Sequence, residues 1–253
     1  MSTLPTPEWL IEEPFTETDL GVIRSGKEAQ INLIERTNDD GESCLLVHKR
    51  YLPREVKEKG ELEALGVQRS SAFRHDVEYR EGRQFRRSRD RRAIERMTAH
   101  GRRLLGDRWT SHEFDVLGTL WAAGVAVPYP VSFANDVCTM AYIGHRDQAA
   151  PRLAETRLNP DELALAAEQL IDNLYRITAT GWAHGDLSAY NLLWWHDQLW
   201  FIDVPQAVDL AANPQGLDYL HRDITNISTW FRRRGHPIDA EALFAELVGV
   251  AFQ

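Results

Sequence analysis

Residues Ala183 to Asp209 read AHGDLSAYNLLWWHDQLWFIDVPQAVD, and the spacing inside this stretch decides the fold. Asp186 and Asn191 lie five residues apart, and Asp203 follows twelve residues later. Between them LLWW and LWFI are β-rich runs flanking a turn-like His196-Asp197-Gln198, which predicts a small hairpin. The hairpin would return Asp203 to the Asp186–Asn191 loop. Two carboxylates and an amide oxygen then face one point, as hard oxygen ligands do around Mg²⁺ in a phosphoryl-transfer site. An isolated H-G-D carries little information, whereas the full order H-G-D-x₄-N…I-D at hairpin spacing is a strong signal. The competing explanation is a structural hairpin with solvated carboxylates.

HGDLSAYN followed by IDVPQAVD resembles the catalytic and metal-binding loops of the RIO family of atypical serine/threonine protein kinases. Ordinary protein kinases carry H-R-D-x-x-x-x-N and D-F-G at these places. The resemblance implies that Asp186 orients or deprotonates the acceptor, while Asn191 and Asp203 hold Mg²⁺, with Mn²⁺ as a substitute. Ser188 and the run Val204-Pro205-Gln206 belong to the family's own pattern. His184 reads as a hydrogen-bonded loop anchor, because a proton acceptor already stands at Asp186.

Upstream, Asp19 to Tyr51 predicts three strands: one ending near Arg24, then Gln30–Glu35, then Ser43–Tyr51. Asn38-Asp39-Asp40-Gly41 supplies the second turn. The first turn, Ser25-Gly26-Lys27-Glu28-Ala29, reads alone as an ordinary hairpin. It also resembles the S/T-G-K-E-A loop of RIO kinases, which implies nucleotide phosphates against Ser25, Gly26 and Lys27. Lys49 ends the apolar run LLVHK, where a solvated strand end is the plain reading. The resemblance makes it the lysine that contacts the α- and β-phosphates of ATP and pairs with a helix glutamate. Lys27 and Arg50 compete for that role, and the alternation Val47, Lys49, Tyr51 places Lys49 on the cleft face. Its partner is expected to be Glu113, with Glu95 as the rival. Val131–Phe133 and Val137–Ile143 predict a strand pair leading to an interlobe hinge. By the same resemblance Met140 flanks adenine, while the backbones of Ala141 and Ile143 bond its edge.

Residues 53–87 are polar and without periodicity, which predicts a flexible insertion. Over residues 69–103 twelve arginines meet five acids, so this strip is either a solvated face or a surface for RNA or a ribosomal particle. Ser70, Ser71 and Ser88 lie in it or at its edge, as phosphorylatable serines do in RIO relatives. Two helices are expected next, Arg89–Leu105 and Ser111–Ala123, with Gly106 between them and Gly124 closing the second. In the second, Phe114, Leu117, Leu120 and Trp121 form the apolar face. Asn159-Pro160-Asp161-Glu162 is a capped helix start, and the stripe Leu163, Ala167, Leu170, Leu174, Ile177 carries that helix to about Thr180. A helix over 215–234 follows, in which Asp223 is placed to accept N–H bonds from the catalytic loop. A last short helix covers 239–252. The segment VPQAVDLAANPQ after Asp203 holds neither serine nor threonine, which predicts catalysis without activation-loop phosphorylation.

The composition, 43% hydrophobic and 26% charged, is that of a globular chain with ample core. A net charge of −9 argues against wholesale nucleic-acid binding. Cys44 and Cys138 sit inside apolar runs without metal or disulfide spacing, as in a reducing cytoplasm. No signal-peptide pattern or membrane-length apolar run is present. The expected architecture is an α+β, two-lobed protein-kinase-like fold. It comprises an antiparallel N-lobe sheet with helices over 1–140 and a mostly helical C-lobe over 141–253, with no activation loop or peptide-docking helices. The expected activity is Mg-ATP-dependent phosphorylation of serine or threonine, including self-phosphorylation, on a protein acceptor. Two alternatives stay open. Aminoglycoside, choline and sugar kinases share H-G-D-x₄-N…I-D, but commonly with His-Pro where Ser188-Ala189 stands here. An ATP-driven RNA or ribosome assembly switch would instead show turnover without an external acceptor.

Overall fold

A computed structural model describes residues 4–26, 29–51, 99–134 and 136–252, the stretch 99–110 by its backbone alone. Lys27, Glu95, Ser70, Ser71, Ser88 and the whole insertion 53–87 lie outside the described residues.

Three long strands open the chain: β1 (Phe15–Ser25), β2 (Ala29–Asn38) and β3 (Ser43–Tyr51). With β4 (Pro130–Ala134) and β5 (Val137–Ala141) they form an antiparallel sheet in the order β1-β2-β3-β5-β4. Strand alternation gives the sheet two different faces. Leu33, Val47 and Met140 are cross-strand partners on one side, where Val47 and Met140 join the core on which the helix α1 (Ala99–Ala122) packs. Ile34, Cys44 and Leu46 point to the other side, where Leu10 and Ile11 of the N-terminal segment cover them. Trp9 adds an edge-to-face contact on Tyr129, and Arg36 fixes the segment by donating to the Ile11 carbonyl at 3.1 Å.

The helix α1 runs unbroken through Gly106, contrary to the expected break. A helix-interior glycine costs only about 1 kcal/mol relative to alanine, too little to stop a helix that tertiary packing holds. Glu113, Val116, Leu117 and Leu120 fall at i, i+3, i+4 and i+7, and all four are buried. Glu113 therefore stands in the buried stripe itself. Gly124 (φ +75°) closes the helix in the left-handed conformation.

Short pairs β6 (Gly144–His145) and β7 (Gln148–Ala149) lead into the lower lobe. The helix α2 (Pro160–Ala179) starts on Asn159, whose side chain accepts from the amides of Asp161 and Glu162 while Glu162 reaches back to Asn159. Its stripe Leu163, Ala167, Leu170, Leu174 and Ile177 is buried as the periodicity predicts. After β8 (Trp182–Ala183) comes the hairpin of β9 (Leu192–Trp195) and β10 (Gln198–Phe201). Gln198 pairs with Trp195, so the turn is two residues, not three. His196 (φ +49°) and Asp197 (φ +57°) are both left-handed, the turn type that matches strand twist. β11 (Val208–Asp209) pairs with β8, and the helices α3 (Gly216–Arg232) and α4 (Ala240–Ala251) complete the lobe. Among the described residues no helix is long and apolar enough to cross a membrane.

Candidate active site

The hairpin does what its spacing requires. Asp203 follows β10, and the amide of Ile202 donates to the Asn191 carbonyl at 3.0 Å, which draws the two loops together. Asp203 has φ +63°, a left-handed conformation unusual for a residue with a side chain, and it turns the carboxylate toward the upper lobe.

There it meets Lys49. The ammonium donates to Glu113 Oε1 at 2.6 Å and to Asp203 Oδ1 at 2.7 Å, joining strand β3, helix α1 and the lower lobe. Tyr51, two residues after Lys49 and on the same face, donates its hydroxyl to Glu113 Oε2 at 2.8 Å. Both oxygens of Glu113 thus accept from a donor, as those of an ionised carboxylate do. Burial raises the Glu113 carboxyl despite Lys49, and burial together with Glu113 holds the Tyr51 hydroxyl far above its usual range, so it stays a donor. Burial works against the Lys49 charge, but Glu113, Tyr51 and Asp203 outweigh it and keep the ammonium firmly protonated. Lys49 in turn is the largest influence on Asp203 and lowers its carboxyl, with Arg24 adding a smaller pull in the same direction.

Below Asp203, the catalytic loop hangs from a buried aspartate. Asp223 on α3 is 1% exposed and accepts from the amides of Gly185 at 2.7 Å and Leu187 at 3.0 Å. Arg222 donates to the Gly185 carbonyl from the same helix. His184 is buried with Nε2 at 3.1 Å from the Ile202 carbonyl. Since a carbonyl only accepts, Nε2 carries the proton, and the ring joins the loop to the residue before Asp203. Gly185 (φ +82°) tolerates nothing larger: a Cβ there would stand 2.0 Å from the Gln206 carbonyl oxygen. The backbone after Asp203 occupies the space in which an arginine of H-R-D would begin.

Asp186 is solvent-facing and Ser188 half-buried beside it in the loop. Asn191 donates its amide to the Asp186 carbonyl at 2.8 Å and to Asp186 Oδ2 at 3.2 Å. Desolvation raises the Asp186 carboxyl above the usual aspartate range, against the opposing pull of His184 and the Asn191 bond. Because Asn191 spends its nitrogen on Asp186, its Oδ1 is left as an acceptor. Asp203 likewise spends Oδ1 on Lys49 and keeps Oδ2 without a partner among the described residues.

This donor set suits Mg²⁺. It offers two hard oxygens from the chain, and among the described residues no group of three His, Cys, Asp or Glu forms a cage. Mg²⁺ that takes few protein ligands completes its octahedron with water and phosphate oxygens.

The remaining expected contacts line the upper lobe. Ser25 ends β1 and is exposed, and the Gly26 amide closes the turn on the Ala29 carbonyl at 2.9 Å. A Cβ built at Gly26 would stand 3.6 Å from the Ala29 carbonyl oxygen, an ordinary van der Waals contact. Met140 is buried opposite Val47. The Ala141 amide is committed to the Tyr129 carbonyl at 2.8 Å, so only its carbonyl is available to an adenine edge. The Ile143 carbonyl accepts from Ala150 at 3.1 Å, and its amide has no partner among the described residues.

Two supports escaped the sequence. Tyr51 was visible only as a cleft-facing residue, and its bond to Glu113 spans 62 positions. Asn173, buried on α2, accepts the Ala126 amide at 2.8 Å, while the Ala126 carbonyl accepts the Phe201 amide at 2.8 Å. That one peptide ties the turn after α1 to the strand that delivers Asp203. A polar residue within the apolar stripe of α2 was its only signal.

The RIO domain model matches residues 66–243. Serine/threonine-protein kinase RIO3 of Homo sapiens is 36% identical over 130 residues, 50% of this chain and 24% of the relative. The RIO-type serine/threonine-protein kinase Rio1 of Thermoplasma acidophilum is 34% identical over 135 residues, covering 53% of this chain and 69% of the relative. Serine/threonine-protein kinase rio1 of Schizosaccharomyces pombe is 32% identical over 227 residues, which cover 84% of this chain but 38% of the relative. The matched region is thus only a part of the larger relatives. Among solved structures, the Rio2 kinase of Chaetomium thermophilum in its ADP/Mg²⁺-phosphoaspartate complex aligns over 90% of this chain and 61% of its own. Its TM-score is 0.57 at 19% identity, a likeness of fold. A match that spans residues 66–243, with a relative 34% identical covered over 69% of its length, means that the chain belongs to the RIO domain family.

Proposed function

We propose that the protein is a Mg-ATP-dependent serine/threonine protein kinase of RIO type, with its lobes meeting near residue 140. The observation that carries this reading is the Lys49 bridge, which links Glu113 of the upper lobe to Asp203 of the lower one. A structural ion pair needs one acid. Here the second is half-exposed, keeps one oxygen without a partner among the described residues, and follows Ile202, whose amide bonds the Asn191 carbonyl. Bound there with ATP, Mg²⁺ would neutralise charge on the outer phosphates. Lys49 then holds phosphate charge from above, and the Ser25–Gly26 turn covers it. Asp186 aligns the acceptor hydroxyl and takes its proton, and Asp223 and His184 fix the loop that carries it. The RIO match sets the small-molecule kinases aside.

The acceptor in this reading is a protein, including the chain itself at Ser70, Ser71 or Ser88. The arginine-rich strip over 69–103 is the surface on which RNA or a ribosomal particle would bind, and the protein works in the cytoplasm. Incubation with Mg-ATP labelled at the terminal phosphate tests the reading. We expect label on serine or threonine, within the chain or on an added protein fraction, and none with Asp186→Asn. Hydrolysis with no labelled protein would point to an ATP-driven switch instead, and no nucleotide binding at all would overturn the proposal.

A further inference from the structure

Arg24 stands one residue before the Ser25–Gly26 turn, and a bulge decides where it points. On β1, Val22 pairs with Asn32, which in turn pairs with His48 on β3. This rung faces away from the cleft, toward Asp19, to which Asn32 donates at 2.8 Å. Plain alternation would leave Arg24 on that outer face with Val22. The register instead shifts between Val22 and Arg24, Ile23 is the extra residue, and Arg24 pairs with Ile31. Ile31 pairs with Lys49. Cross-strand partners share a sheet face, so the bulge carries Arg24 onto the face of Lys49, above the cleft.

The side chain is exposed and has no hydrogen-bond or ion-pair partner among the described residues. Arg36 on the neighbouring strand shows what a structural arginine looks like in this sheet. It is buried, bonds Glu17 at 2.8 and 3.1 Å, and stacks over Phe15. Arg24 has none of this, although its strand partner Ile31 is the neighbour of Lys49. An unpaired guanidinium beside the Ser25–Gly26 turn, on the sheet face of Lys49, faces the place where a nucleotide's outer phosphates would lie. Its planar fork of donors matches phosphate oxygens in a way a lysine does not.

We infer that Arg24 binds the terminal phosphate of the nucleotide, a second cation on the roof of the site beside Lys49. The inference rests on the nucleotide reading above and adds a residue to it. Its consequence is selectivity: Arg24 favours nucleoside triphosphate over diphosphate, so the product is released without a competing contact from this side chain.

The test is a binding series with ATP, ADP and adenosine, each in the presence of Mg²⁺, on the wild type, Arg24→Gln and Arg24→Lys. Arg24→Gln should weaken ATP by roughly tenfold, the scale of one charge-assisted contact to phosphate. ADP should change by less than about threefold and adenosine not at all, and Arg24→Lys should recover part of the ATP loss. An exposed side chain with no partner can be replaced without unfolding, and equal melting temperatures verify that. Equal losses for ATP and ADP, losses that extend to adenosine, or no loss for ATP would each overturn the assignment. A wild type that binds ATP while Arg24→Gln binds it equally well removes the Arg24 role and leaves the kinase reading standing. A wild type that binds no nucleotide removes both.

Discussion

The roof and the floor of the cleft are built on opposite plans. In the roof, Lys49, Glu113 and Tyr51 are packed together, and both Glu113 oxygens are taken by donors from the chain itself. In the floor, Asp186 faces solvent, and Asn191 and Asp203 each keep an oxygen without a partner among the described residues. Satisfied buried charges hold geometry, whereas oxygens left without a partner are free to take a ligand. On the proposed reading the roof is preorganised before nucleotide arrives, whereas the floor is completed by what it binds. Asp203 belongs to both halves, with one oxygen on Lys49 and the other open.

That double membership makes Asp203→Asn the most damaging change. It should abolish Mg²⁺-dependent ATP binding and reduce turnover by about 10³-fold or more, since it removes the charged ligand of the ion. Titration of ATP with and without Mg²⁺ reads this directly. Retained metal-dependent binding would mean that Asp203 serves the roof alone.

Glu113→Gln attacks the roof without touching the floor. Taking one charge from a buried pair should cost about 3 kcal/mol of unfolding free energy, measured in urea. The apparent KM for ATP should rise about tenfold as Lys49 loses its upper anchor. An unchanged KM with the full stability loss would show that the pair is structural only.

Asn173→Leu probes the joint between the halves. It strands the Ala126 amide, at a cost of about 2 kcal/mol for an unsatisfied buried donor, and it loosens the turn that accepts Phe201. A protein with native stability would show that water or another group replaces that bond.

The smallest effect expected is in pH dependence, where the two aspartates part. Desolvation raises Asp186, while Lys49 lowers Asp203. As pH falls, Asp186 gains its proton first and turnover drops above the usual aspartate range. Asp203 stays ionised further down, so Mg-ATP binding should persist where turnover has failed. Binding and turnover lost over the same pH range would contradict this ordering.

Much of this was legible in the chain because it rests on local geometry. A twelve-residue return from Asn191 to Asp203 admits few structures other than a hairpin, and alternation from Val47 places Lys49 without knowledge of its partners. Capping at Asn159 and the stripe on α2 fix that helix from sequence alone. Gly106 misled because a breaker propensity of about 1 kcal/mol yields to packing that only the fold supplies. Asn173 and Tyr51 were out of reach for another reason: their bonds join residues 47 and 62 positions apart, which no local pattern announces. Gly185 was readable as a missing arginine, but the Gln206 carbonyl that forbids any side chain there belongs to a different loop.

The floor should separate holding the nucleotide from transferring its phosphate, and Asp186→Asn pulls the two apart. Mg-ATP affinity by titration calorimetry and initial phosphoryl transfer should be measured on the same preparation of wild type and variant. Affinities should agree within about twofold while transfer falls roughly 10²–10⁴-fold, the range for a positioned base. Transfer that survives the substitution, or ATP binding that disappears with it, would show that Asp186 does not play this part.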